Sequence, residues 1–369
     1  MSDGLSAKLA WTEADPDEDL IASATIDLAM EDGREADREE WPSDLWSTLE
    51  RIGGPRWSLP DGHGGSTCPR PTLVQRYARL ASGSLTAVFI LSQHEAALRR
   101  LTASMQRPAA DRWMREVGRN HAIATVGISH LTTSRRLGSQ AVRIVEASPG
   151  RYRLDGTMPW VTGATRADLV VTGGTLDDGR QMLIALPTDR RGVTVHSPFS
   201  LAALQASCTS EIALDNVGVD DLDVLVGPAT DVLGHPGAVG TGGLETSALA
   251  LGQAHAALSA LVELAPARGE LAEPLEALCD GWQSAWGQLM AQARGEPDAP
   301  QPGQIRTQAN ALVLRATQAY LTARKGTGFL RSEPAQRWAR QALFFLVWSC
   351  PAPIAQAAIR DLAGLCPAS

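Results

Sequence analysis

The spacing of apolar residues changes character twice along the chain. From residue 20 to about 124 it follows helical spacing, and the predicted helices cover 20–30, 43–49, 73–101 and 109–117. Pro42-Ser43-Asp44 is a start signal for the second and Pro108 for the fourth, and Ser82-Gly83 marks a break in the third. Between Gly150 and Val219 the period falls to two. Tyr152-Arg153-Leu154-Asp155-Gly156, Leu169-Val170-Val171-Thr172, Met182-Leu183-Ile184-Ala185-Leu186, Gly192-Val193-Thr194-Val195 and Glu211-Ile212-Ala213-Leu214 read as short strands separated by turn residues. Strands of this length and spacing predict a small barrel or sandwich. Helical spacing returns at Leu244 and predicts helices over 244–264, 271–293, 304–323, 335–347 and 354–365, with short connections that suggest an antiparallel bundle.

The implied organisation is an acidic flexible lead over 1–18, an α-helical N-terminal domain over 19–124, a middle β-domain over 125–226 and a C-terminal helical bundle over 227–369. The fold class is mainly α with a central β-domain. At 369 residues the chain is long enough for a large core. A formal charge of −8 argues against a nucleic-acid-binding surface and offers nothing to an anionic membrane. The five cysteines, at 68, 208, 279, 350 and 366, have no CxxC spacing. That pattern fits a reducing, cytoplasmic setting and argues against a disulfide framework or a zinc site. No signal peptide is read at the N-terminus, and no stretch reads as apolar for long enough to span a bilayer; the longest, 342–347, is about one third of the length needed. The histidines, among them His94, His121, His130, His235 and His255, have no ligand spacing.

Local motifs carry a resemblance along nearly the whole chain. Trp41-Pro42-x-x-Leu45-Trp46 precedes Leu59-Pro60 and Gly64-Gly65. Tyr152-x-x-x-Gly156 precedes Trp160-Val161-Thr162. Leu204-Gln205-Ala206-Ser207-x-Thr209-x-Glu211 leads into Leu214-Asp215-Asn216-Val217. Ala250-Leu251-Gly252-x-Ala254, Gly326-x-Gly328-Phe329 and Pro334-x-x-Arg337-x-x-Arg340-x-Ala342 follow in order. In this succession they resemble the motifs of the acyl-CoA dehydrogenase family. The resemblance implies an all-α N-terminal domain, a small β-barrel middle domain and a C-terminal four-helix bundle, with FAD between the last two. It also implies a homo-oligomer, dimer or tetramer, and an acyl thioester substrate that loses its α-proton to a glutamate while the flavin takes a β-hydride.

Carried onto this chain, the resemblance implies that Trp160 and Thr162 lie against the flavin, and that Gly326 belongs to the cofactor-binding set. In the polar loop, Ser129, Thr132 and Ser134 are candidate donors to the cofactor, with Thr133, Arg135 and Arg136 beside them. The family glutamate falls on Ser349, a poor base for a carbon acid. Where family members carry it on the first bundle helix it falls near Gly242, and Glu245 follows three residues on. Glu245 and Ser349 are therefore the catalytic candidates. Pro351 and Pro353 replace residues that hold the adenosine portion of FAD, and Arg337 and Arg340 read as bundle-surface or subunit-contact residues. The first reading is an FAD-dependent α,β-dehydrogenase of an acyl thioester or related substrate. The alternatives are a flavin-dependent monooxygenase of the same fold and a non-catalytic binding subunit.

Overall fold

The computed structural model describes residues 2–66, 68–104, 107–131, 141–235, 243–348 and 350–365. Six helices come first: α1 (Ser2–Lys8), α2 (Glu18–Glu35), α3 (Ser43–Arg51), α4 (Arg70–Gly83), α5 (Leu85–Ala103) and α6 (Pro108–Asn120). The strands are β1 (Ala124–Gly127), β2 (Val142–Ser148), β3 (Arg151–Val161), β4 (Leu169–Leu176), β5 (Gln181–Pro187), β6 (Val193–Val195), β7 (Ser210–Asp220) and β8 (Val224–Ala229). Helices α7 (Leu244–Leu264), α8 (Ala272–Arg294), α9 (Pro302–Arg324), α10 (Pro334–Ala342) and α11 (Ala352–Leu362) complete the fold.

The break expected near residue 82 is a real helix boundary. Ser84 is extended, caps α5 by accepting from the Ala87 amide at 3.1 Å, and donates to Asp32 at 2.6 Å. Asp32 also accepts from Arg337 at 2.8 Å, a buried pair that ties α2, α5 and α10 together. Arg337 is thus an interior residue, contrary to the surface role expected of it. Helix 335–347 is shorter than expected: α10 ends at Ala342 and Leu343–Leu346 tightens into a 3-10 turn.

The strands form one mixed eight-stranded sheet, in the order β6-β7-β3-β2-β4-β5-β8 with β1 parallel to β4. β6 and β8 are not paired with each other, so among the described residues the sheet is open, where a closed barrel was one expectation. β4 and β5 read as continuous apolar runs because both of their faces are covered. Leu169, Val171, Leu183 and Ala185 pack with α5 and α6, whereas Val170, Met182, Ile184 and Leu186 pack with β2, β3 and β7.

The two helical regions share a core. One apolar cluster runs from Leu5 to Phe345 and includes α4, α5, α7, α8 and α9. α7 is buried on most of its surface. Its Gly252 lets α4 approach closely, since a Cβ there would stand 2.1 Å from the Ala78 carbonyl oxygen. The segment Leu244–Ala267 is long and apolar enough to cross a membrane, which corrects the expectation that no such stretch exists, but it is mostly buried inside this core.

Of residues 1–18, expected as a flexible acidic lead, the described residues 2–18 are docked. Leu5 and Leu9 are buried, and Trp11 stacks on His255 and meets Trp282 and Trp286 edge-on. Asp15 and Asp17 both accept from Arg76, at 2.5 and 2.7 Å. The acidic residues of the lead serve a buried cation, and aromatic burial anchors the rest.

Candidate active site

A cavity of about 1110 Å³ opens where the sheet meets the helices. Its β-side wall is polar. Trp160, near the end of β3, is 56% exposed and borders the cavity, with Phe199 4.8 Å from its ring. Thr162 follows and is buried. Its carbonyl accepts from Thr125 at 2.7 Å, and its hydroxyl accepts from Thr209 at 3.3 Å. Ser207 and Thr209 hydrogen-bond to each other at 2.8 Å, and both line the cavity with Ser129, which follows β1.

The opposite wall is helical and aromatic. Phe344 and Trp348 stack at 5.2 Å, and Phe89 meets both edge-on at 4.8 and 4.9 Å. All three border the cavity, whereas Phe345 points into the core. The run 344–348, read from sequence mainly as core, therefore divides between core and cavity.

Charged groups gather along α5 and the start of α7. Glu245 is buried and accepts from Arg70 at 2.5 Å and from Arg99 at 2.8 Å. Burial alone would raise its pKa, but the two guanidinium groups outweigh burial and hold it below the usual carboxylate value. The structure places Glu245, a catalytic candidate from sequence, as the ion-pair partner of Arg70 and Arg99, and a carboxylate held in its ionised form in this way is a weak proton acceptor. Glu95 is the opposite case. It is 1% exposed and borders the same cavity, and neither carboxylate oxygen has a hydrogen-bond partner. Burial first, then the negative charge of Glu245, pushes it up to about 8. Arg100 also borders the cavity. It is buried with its Nε unpartnered, and burial lowers its pKa to about 10.

Of the residues singled out from sequence, the cavity brings together Ser129, Trp160, Thr162 and Glu245. Gly326 is not brought there; it sits in an exposed 3-10 turn after α9. Thr132, Ser134 and Ser349 lie outside the described residues, as do Thr133, Arg135 and Arg136. Pro351 borders the cavity, as does Arg340, which bonds Asp37 and the Ala202 carbonyl. Sequence reasoning missed Glu95, Arg99 and Arg100. The signal was present: Glu95 is a lone acid late in a long apolar helix, where burial without a partner is costly. Among the described residues no group of three or more His, Cys, Asp or Glu side chains could hold a metal.

The arrangement of helices, sheet and bundle superposes on solved structures over nearly its full length. Butyryl-CoA dehydrogenase from Megasphaera elsdenii matches with a TM-score of 0.80 at 15% identity, covering 96% of this chain and 100% of that one. A glutaryl-coenzyme A dehydrogenase in complex with glutaryl-CoA gives 0.80 at 15% identity, covering 96% and 97%. The chain has the acyl-CoA dehydrogenase fold. A nitrososynthase from Micromonospora carbonacea shares this fold, with a TM-score of 0.76 at 18% identity and coverage of 97% and 98%. In sequence, a probable acyl-CoA dehydrogenase of Bacillus subtilis is 28% identical over 159 residues, 42% of each chain. Benzylmalonyl-CoA dehydrogenase of Aromatoleum aromaticum is 26% identical over 238 residues, 64% of this chain and 63% of that protein. The aligned segments thus span 42% and 63% of those two relatives, and they support a divergent member of the acyl-CoA dehydrogenase family. No protein-family profile matches the chain.

Proposed function

We propose that this chain is a flavin-dependent oxidoreductase that dehydrogenates an acyl thioester or a related substrate between its α and β carbons. The observation that carries the reading is the cavity of about 1110 Å³ at the junction of sheet and helices, in a chain of acyl-CoA dehydrogenase fold. A pocket of that volume matches or exceeds what a drug-sized ligand fills, leaving room for a flavin ring and an acyl chain together.

The residues present fit a flavin. Trp160 offers an exposed indole, and Ser129, Thr162 and Thr209 offer hydroxyls along one wall. These would hold the isoalloxazine ring and its polar edge. Phe89, Phe344 and Trp348 would enclose an apolar acyl chain on the other side. Bound flavin would supply a two-electron acceptor, chemistry that the side chains themselves lack. The chain's own contribution is to exclude water, orient the α and β carbons and accept the α-proton. The relatives' substrates are thioesters of coenzyme A, and the same class is the first to try here. A homo-oligomeric, cytoplasmic enzyme is the setting in which this reading places the chain.

The test is a visible spectrum after incubation with FAD and gel filtration, followed by anaerobic titration with a panel of acyl-CoA thioesters. A retained flavin band that bleaches with one of them supports the reading. A retained flavin that no thioester bleaches, but that in its reduced form consumes oxygen with product formation, moves the chain to monooxygenase chemistry. Failure to retain flavin favours a binding subunit.

A further inference from the structure

Among the described residues two carboxylates border the cavity, and their surroundings drive them in opposite directions. Glu245, in the first turn of α7, is held by Arg70 and Arg99 at 2.5 and 2.8 Å. Glu95, on α5, has no hydrogen-bond partner on either oxygen and is almost fully removed from water. Arg70 and Arg99 are taken by Glu245, and Glu95 is left without a donor of its own. A buried carboxyl without a donor is costly, because polar groups in a protein interior are normally satisfied. Such an unsatisfied group at the wall of a large cavity is placed for a ligand.

We propose that Glu95 is the proton acceptor of this site, taking the α-proton of an acyl thioester bound in the cavity, while Glu245 remains ionised as the partner of Arg70 and Arg99. The assignment rests on the dehydrogenase reading above and departs from the two positions, Glu245 and Ser349, at which sequence placed the base. When two carboxylates in one site are pushed apart in acidity, the division between fixed charge and proton carrier follows. Glu245 is locked in its anionic form. Glu95 has the higher proton affinity and hence the greater basicity once it is ionised.

The helix supplies the aim. Phe89, Ser92, Ala96 and Arg99 recur along α5 at helical spacing and face the cavity, and Glu95 borders it from the edge of that stripe. The charged and titratable groups around it are Arg99 on the same helix, Arg70 and Tyr77 on α4, Cys68 before α4, and Glu245 on α7. Tyr77 is itself buried with an unpartnered hydroxyl. Glu245 disfavours ionisation of Glu95, and Arg99 and Arg70 favour it. Burial outweighs them all, so Glu95 ionises at higher pH than an ordinary carboxyl, and it is the ionised form that accepts the α-proton.

The step balances without further reagents. It starts from the ionised form of Glu95, whose own proton has passed to solvent: the α C–H bond breaks, its electron pair passes into the thioester carbonyl as an enolate, and the α-proton forms an O–H bond on a Glu95 carboxylate oxygen. The reverse step returns a proton to carbon, and in heavy water it returns a deuteron. Proton transfer by a positioned carboxylate contributes about 10²–10⁴-fold, so its loss is measurable.

The test measures α-deuterium incorporation into butanoyl-CoA and 3-phenylpropanoyl-CoA by the FAD-treated full chain in heavy water, read by mass spectrometry. Infrared titration of the free protein, with and without Glu95→Gln, is run beside it. Support is wild-type exchange that falls by about 100-fold or more in Glu95→Gln, with flavin retention and the far-ultraviolet circular dichroism spectrum unchanged and partial rescue by Glu95→Asp. Further support is a carboxyl band that ionises in the wild type as the pH is raised and is missing from the variant. Exchange at the wild-type rate in Glu95→Gln overturns the assignment and leaves the dehydrogenase reading standing. Failure of wild type and variant alike to exchange either thioester, with flavin retained, removes the thioester reading and the assignment together.

Discussion

The N-terminal anchor and the cavity wall of α5 are both rich in buried polar groups, and they treat them differently. At the anchor, partners close on one another. Arg76 receives Asp15 and Asp17, Trp282 donates to the Leu251 carbonyl at 2.9 Å, and Trp286 donates to Thr12 at 3.1 Å. At the cavity wall, Glu95 has no partner on either oxygen and Arg100 has none on Nε. The first region uses its polar groups to lock a terminus onto the bundle. The second leaves them buried and unpaired at the cavity wall, at a cost to stability. Unsatisfied buried polar groups are uncommon in folded proteins, and where they line a cavity they point to function.

The sharpest break in this comparison comes from Trp282→Ala. Trp282 is fully buried, stacks on Trp286 at 5.6 Å and meets Trp11 edge-on. Its truncation costs about 3–5 kcal/mol in urea unfolding and loosens the terminus, seen as faster amide exchange over residues 2–12. The next effect lies at Glu95 and has a sign fixed by linkage. Its acidity in the folded protein, at about 8, stands above the ordinary glutamate value of 4.5. The folded state therefore holds the proton more tightly than the unfolded chain. Stability is full below about pH 4.5 and declines as pH rises through about 8, at up to about 1.4 kcal/mol per pH unit. Glu95→Gln removes that decline, and urea midpoints from pH 5 to 9 measure it.

A smaller effect of opposite sign is expected for Arg100→Met. Removing a buried guanidinium that has no counterion among the described residues, while keeping its aliphatic volume, raises stability by about 1 kcal/mol, read as a higher melting temperature. The smallest effect tests the polar wall. Thr162→Val leaves the fold unchanged and deletes one hydroxyl facing the cavity. It weakens FAD retention by about 3–10-fold, in line with the loss of about 0.5–1.5 kcal/mol for one hydrogen bond, measured by fluorescence titration.

Much of the architecture was legible before any coordinates. Apolar spacing located α2 to α9 and the β-module between them, because amphipathic helices and short strands impose their own periods. The motifs around Trp160 and Thr162 pointed to two residues that do border the cavity. The end of the bundle was less legible, because Leu343–Leu346 keeps helical spacing while its backbone tightens. Glu245 was found, but its charge state was not. Whether a carboxylate is a base or half of an ion pair depends on Arg70 and Arg99, which stand 175 and 146 residues away.

The sequence by itself determined the order of helical and β segments, the start of α3 and the break between α4 and α5, since these depend on neighbours a few residues apart. It also carried the resemblance that names the fold. The tertiary structure alone decided that the acidic N-terminal segment docks, that Arg337 is internal, and that Glu245 is ion-paired while Glu95 is not. These outcomes are set by burial and by charges brought together from distant parts of the chain, and no local pattern encodes the dielectric or the partners a side chain meets after folding.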